Sequence, residues 1–272
     1  MKLMVALPLM RALTAGLAAV ALGSAALRAQ VSVGYFTDFY VGSTGPAAGI
    51  TTAGGTPVPI TDITVFDFST VEILVINQSA NSPHSSELMA RAADLATFVQ
   101  AGGILLFHDR YVGDDYAATP NTLLPGIGNA QFFRDFDLDD DIDFLNAPNL
   151  LTNGPFGVLD NTSLDGGNSS THGYVLTSTL PANTTVLYTV GSDHTKAAGF
   201  AYPFGNGIVF YSTIPLDHYL DGSGPALLNQ SVQNIYYPNL LAGIAAVPEP
   251  STWAMLGLGL LVVGWQLRRR QR

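Results

Sequence analysis

Val71-Glu72-Ile73-Leu74-Val75-Ile76-Asn77 is a short apolar run, rich in β-branched residues and closed by a polar one. A run of this kind reads as a strand buried on both faces when the following sequence supplies a crossover. Here it does. After a loop over residues 78–83, residues 85–100 fit an amphipathic helix, with Leu88, Ala92, Leu95 and Val99 on one face. Ser85 or Ser86 caps its start, and Gly102-Gly103 stops it. Ile104-Leu105-Leu106-Phe107 then returns as a second buried strand. Strand, helix and strand form a βαβ unit, so residues 71–76 and 104–107 are expected as parallel neighbours.

A second cluster supports the same sheet. Residues 184–190 read as a strand, and residues 197–202 and 208–212 as a hairpin turning at Gly205-Asn206-Gly207. A closing helix is expected over residues 231–245, with Val232, Ile235, Leu240 and Ile244 apolar and Pro238 kinking or splitting it. Residues 31–36 open as a strand weakened by Gly34. Residues 43–59, rich in Gly, Thr, Ala and Pro, read as an exposed loop. Residues 113–174, full of Asp, Asn, Gly and Ser, read as a long irregular insertion or binding loop. The result is a single α/β domain over residues 30–246, long enough to bury its own core.

The two ends of the chain differ from this body. Lys2 and Arg11 precede an uncharged Ala- and Leu-rich segment, so residues 1–29 read as a signal peptide handed to the secretion machinery. At the other end, Pro248-Glu249-Pro250 is followed by an apolar run from Trp253 to Leu267 and then by Arg268, Arg269, Arg270 and Arg272. The two prolines hold the tripeptide extended. Residues 253–267 are expected as a transmembrane helix of about 22 Å, short against a hydrocarbon core of about 30 Å. Arginine stems extend its reach, and their position places the C-terminus in the cytoplasm. Without both ends, four basic residues (Arg91, Arg110, Arg134 and Lys196) face 20 acidic ones, a formal charge of −16. Such a surface repels nucleic acid and anionic headgroups and attracts divalent cations. The chain has no cysteine, which excludes disulfides, thiolate catalysis and cysteine metal ligation.

Tripeptide, hydrophobic run and arginine cluster, in that order over residues 247–272, resemble the PEP-CTERM sorting signal of bacterial envelope proteins. The resemblance implies recognition by an exosortase, a membrane protease-transpeptidase. It implies a precursor tethered to the inner membrane and a mature form at the cell surface or outside it. The body resembles the class I glutamine amidotransferase-like fold on residues 71–77, the helix that follows, residues 101–108 and residues 206–212. That resemblance implies a flavodoxin-like domain with a mostly parallel sheet. In the amidotransferases the strand after the Gly-Gly turn ends in an elbow bearing the catalytic cysteine. Here His108-Asp109-Arg110-Tyr111 stands in that place, so the activity does not carry over. The trehalose-utilisation-type relatives can have histidine at this strand end, which assigns no chemistry by itself.

Three groups are candidates for chemistry. Asn77, His108, Asp109, Arg110, Asp217 and His218 all follow predicted strands and are expected to converge where open α/β sheets bind ligands. Within that group His108, Asp109, Asp217 and His218 are the candidate catalytic residues, as acid and base or as metal ligands. The alternative is a local Asp109-Arg110 ion pair with two ordinary loop histidines. Ser79, Ser82 and Ser85 lie near His84 but in no GxSxG context, so capping is the simpler role. Asp135, Asp137, Asp139, Asp141 and Asp143 bring carboxylates at a density that calcium requires. Asp140 stands where an EF-hand loop needs glycine, so the choice is a looser calcium site or a solvated acidic turn. Two functions follow. One is a non-enzymatic surface or matrix protein that interacts with extracellular polysaccharide. The other is a hydrolase or lyase acting on extracellular carbohydrate or ester through the strand-end group. A cavity holding His108 and His218 favours the second, and a filled strand end the first.

Overall fold

The computed structural model describes residues 31–113, 122–135, 142–145, 149, 151–166 and 170–245. Strands β1 (Ser32–Asp38), β2 (Thr56–Pro59), β3 (Ile73–Gln78), β4 (Ile104–Asp109) and β12 (Gly207–Ser212) lie in the order β2-β1-β3-β4-β12, and every pairing among them is parallel. The expected βαβ unit is present, with Ile73 opposite Ile104 and Ile76 opposite Phe107. Its crossover comes as two pieces, α2 (Ser86–Met89) and α3 (Ala92–Gln100). The single expected helix breaks at Arg91, which reaches back to the carbonyls of Ile63 and Phe66 and lies 4.5 Å over the Phe68 ring. The Ser85 hydroxyl accepts from Leu88 N at 3.2 Å, so the expected cap is in place.

Beyond β12 the sheet turns antiparallel. β11 (Asp193–Phe204) pairs with β12 through a hairpin whose turn residue Gly205 has φ +60°; a Cβ there would fall 2.6 Å from the Gln100 backbone. β10 (Thr185–Val190) follows, then β6 (Ile142–Phe144), while β9 (Gly173–Leu176) pairs with β11 and carries β5 (Phe132–Arg134). The sheet is therefore mixed: the expected parallel strands carry the βαβ unit, and antiparallel strands extend it beyond β12. The expected irregular insertion over residues 113–174 supplies the sheet strands β5 and β6, the start of β9, and a small separate hairpin of β7 (Asn153–Gly154) and β8 (Gly157–Val158). Its strands are two to four residues long, too short for a period-two pattern to register.

Residues 43–59 correct the expected loop. They form α1 (Gly45–Thr52), with proline in its first turn, and the edge strand β2. Helices cover both faces of the parallel half, which is why its strands are apolar throughout. Leu74, Ile76, Leu105 and Phe107 pack against Leu88, Leu95 and Val99 on one face. Val75, Leu106 and Phe210 face the other, under Ile50 of α1, Leu216 of α4 (Leu216–Leu220) and Leu228 of α5 (Ala226–Ser231). A π-helical turn, Val232–Tyr236, and α6 (Tyr237–Ala245) complete that layer. The expected disturbance near Pro238 thus takes the form of a π-turn ahead of it.

Among the described residues no helix is long and apolar enough to cross a membrane. The signal peptide over residues 1–29 and the membrane helix over residues 253–267 lie outside the described residues.

Candidate functional site

Parallel strands put residues of one register row on the same face, and two such rows close the carboxyl ends of the sheet. Thr37, Asn77, His108 and Ser212 form one row. Asp38, Gln78 and Asp109 form the next, on the opposite face. All seven are buried.

His108 has no exposed surface and packs at right angles to the Tyr236 ring. Its Nε2 is 3.1 Å from Tyr236 Oη, which is 2.8 Å from Tyr188 Oη; Tyr188 in turn donates to Ser212 Oγ at 2.7 Å. With Tyr188 committed to Ser212, every link has a donor only if Tyr236 donates to Tyr188 and His108 donates from Nε2. Nδ1 then holds a lone pair, and it has no hydrogen-bond partner. Burial holds the imidazole far below its usual range, at about 3, so the ring is neutral around pH 7. Both amide atoms of the neighbouring Asn77 are likewise buried without a partner.

Asp109 has a different task. Its Oδ1 accepts from Tyr111 N at 3.0 Å and Val112 N at 2.9 Å, and its Oδ2 from Gly113 N and Tyr211 Oη, both at 3.0 Å. This carboxylate ties down the turn after β4, where Val112 sits at φ +60°. His84 Nε2 lies 3.8 Å from it. The serines near His84 have local roles: Ser85 caps α2, and the Ser79 hydroxyl donates to Asp38 O.

The four candidate catalytic residues therefore do not form one group. His108 and Asp109 point to opposite faces inside the sheet, while Asp217 and His218 lie on α4, beyond the end of β12. What gathers with Asp217 and His218 is Arg110 and a residue the sequence did not single out, His172. Burial raises the Asp217 carboxyl to about 6 against the opposing pull of Arg110, and Asp217 Oδ1 has no partner. His218 is held down by burial and by Arg110. Burial, then the Arg110 and Arg134 charges, hold His172 at about 3. Arg134 fixes the arrangement: it donates to the carbonyls of Arg110 and Tyr111, reaches Asn81 Oδ1 at 2.8 Å and lies 4.5 Å over the Tyr111 ring. His172 stands just before Gly173, whose φ of +146° and contact with Phe133 O leave no room for a Cβ. A His-Gly pair in a loop was the only trace in the sequence.

Arg110 also donates to Ser79 O at 3.2 Å, and the Asp38 carboxylate accepts from Ser85 N at 2.9 Å. The loops after β1, β3 and β4 are thus bonded into one rim. A carboxyl near 6 can exchange protons near neutrality. Of the acidic stretch, Asp137, Asp139 and Asp141 lie outside the described residues; Asp135 N donates to His172 O, and Asp143 of β6 pairs with Thr189 of β10. Among the described residues no group of three or more His, Asp or Glu side chains is placed to hold a metal. A cleft of about 780 Å³ lies at the opposite, amino end of the sheet, with Val31, Phe68, Phe98, Ile104 and Ile244 in its wall.

Comparison with known proteins adds delivery and fold. The profile of the PEP-CTERM protein-sorting motif matches residues 246–270, the segment that carries the tripeptide and the arginine cluster. The match supports an exported protein that an exosortase processes at the membrane. No curated protein sequence matches the chain. Among solved structures, the cytoplasmic protein STM1381 of Salmonella typhimurium LT2 is 13% identical with a TM-score of 0.51, over 78% of this chain and 97% of that one. The cytoplasmic protein STM3548 of Salmonella typhimurium is 11% identical with a TM-score of 0.50, over 79% and 98%. An exo-β-1,4-mannosidase, Op5Man5 from Opitutaceae bacterium strain TAV5, is 14% identical with a TM-score of 0.45; 83% of this chain spans only 38% of that protein. At these identities the first two likenesses speak for the mixed α/β fold alone.

Proposed function

We propose that the protein is a non-catalytic component of the cell surface or extracellular matrix. Its flavodoxin-like, amidotransferase-like domain associates with extracellular polysaccharide. One observation carries the reading: the end of β4 is filled. The position that bears the nucleophilic cysteine in the resembling enzymes holds His108, buried against Tyr236 and neutral. The strand order β2-β1-β3-β4-β12 with helices on both faces supports the flavodoxin-like assignment. The sorting motif supports delivery to the envelope. The second reading, a hydrolase or lyase, has one observation in its favour: the Asp217 carboxyl near 6, one residue before His218 on α4.

The test uses processed protein recovered from the cell surface. It is mixed with extracellular polysaccharide from the same cells, and both co-sedimentation and chain cleavage or ester release are followed. Binding without turnover is the expected result. Turnover that disappears in Asp217→Asn and His218→Ala would replace this reading by the enzymatic one. Neither binding nor turnover would remove both.

A further inference from the structure

We infer that the loop joining β1 to α1, Phe39-Tyr40-Val41-Gly42-Ser43-Thr44, is a binding platform for uncharged sugar rings. The inference rests on the polysaccharide reading and gives it a place. Phe39, Tyr40 and Val41 are 53%, 54% and 52% exposed, three large apolar residues in succession. Single exposed apolar residues need no explanation, but a contiguous group marks a binding surface. The backbone points the same way. Phe39 has φ +64°, a conformation that an aromatic residue adopts only under constraint. The loop is held by two successive turns, Tyr40 N to Thr37 O and Ser43 N to Tyr40 O, both at 3.2 Å. Glycine or asparagine would sit there without strain, so the strain maintains an exposed ring.

The position is where such a sheet binds ligands. The chain leaves β1 for β2 on one side and returns to β3 on the other, so the loop stands at the switch point of the strand order, at the carboxyl end where open α/β sheets bind ligands. Polar groups border it on both sides. Asp38 and Ser79 lead to Arg110. On the other flank, a Cβ on Gly45 would fall 3.0 Å from Leu220 Cβ and 3.1 Å from Asp221 Oδ1, so the loop abuts the end of α4. Two side-chain oxygens along this rim, Ser43 Oγ and Asp217 Oδ1, are buried without partners. Ser43 and Asp217 are 6% and 5% exposed.

Aromatic faces take the apolar C–H faces of pyranose rings, and bordering carboxylates and amides take their hydroxyls. The exported part's formal charge of −16, with Asp217 and Asp221 on the rim, excludes polyanions. An uncharged glycan fits both conditions.

The experiment measures affinity electrophoresis of the mature processed protein in gels containing an uncharged β-glucan, xylan or galactomannan, with alginate as the polyanion. Wild type should be retarded by at least one uncharged polymer and not by alginate. Tyr40→Ala and Phe39→Gly should each weaken retardation about tenfold. Phe39→Gly should also raise the melting temperature, because glycine relieves the strain, which separates lost binding from lost folding. If wild type binds no uncharged polymer, the polysaccharide reading falls and this site with it. If wild type binds and both variants bind equally well, the reading survives and the site is wrong. Equal or better binding to alginate overturns the uncharged class. A concentration-dependent dimer that Tyr40→Ala abolishes, with no glycan bound, would make the loop a contact between two copies of the chain instead.

Discussion

His108 and Asp217 are ionisable groups shifted by the same cause in ways that oppose one another in acid. The buried imidazole titrates at about 3 in the folded protein against about 6.5 when free. The unfolded chain therefore takes up the proton first. Stability from this group is complete above about pH 6.5 and drains away as pH falls toward 3, by ~3–4 kcal/mol at the bottom of that window. His172 acts in the same direction. Asp217 runs the other way: its folded value near 6 exceeds the free value of 3.8, so its charge costs stability above pH 6 and the cost fades toward pH 3.8. Urea titrations should show Asp217→Asn stabilising the protein at pH 7 by ~1–3 kcal/mol and gaining nothing at pH 4. His108→Gln, which keeps a donor for Tyr236, should flatten the loss between pH 6 and 4; an unchanged slope would mean that the ring is not desolvated as described. The residues after each strand are legible in the sequence as a rim, and the alternation along a strand divides that rim between two faces. Neighbours in a strand face opposite ways, so His108 and Asp109 could never share a cavity. His172 could not be found at all, since only the β5–β9 pairing brings it to Arg110.

Among the elements, the βαβ unit was readable because its helix period and its strands' length leave few alternatives. Leu95, fully buried against the sheet, tests it: Leu95→Asp should cost ~3–5 kcal/mol in denaturant unfolding, since it buries an unpaired charge. A variant as stable as wild type would mean that this face of α3 is free. The helix α1 was hidden by its own packing requirement. Gly49 looks like a loop residue, yet a Cβ there would lie 2.3 Å from the Tyr237 ring, so glycine is what lets α1 approach α6. Gly49→Ala should therefore destabilise by ~1–3 kcal/mol although alanine is the better helix former, and thermal melts would show it. The short strands β5 and β6 had no such signature, because long-range pairing rather than local pattern selects them.

At the scale of the whole molecule, the sequence separated delivery from domain without the structure. If residues 246–270 work as a sorting signal, mass spectrometry of surface-released protein should find Arg272 and the arginine cluster gone. Changing Pro248 and Pro250 to alanine should leave the unprocessed form in the membrane fraction. Val31 and Ile244, the first and nearly the last described residues of the domain, meet in the wall of the cleft at the amino end of the sheet. The Phe39–Tyr40 loop and Arg110 occupy the far end, at least one strand length away. A domain held from either end would hang like a lamp from its cord, with the cleft toward the support and the rim with the aromatic rings facing away from it.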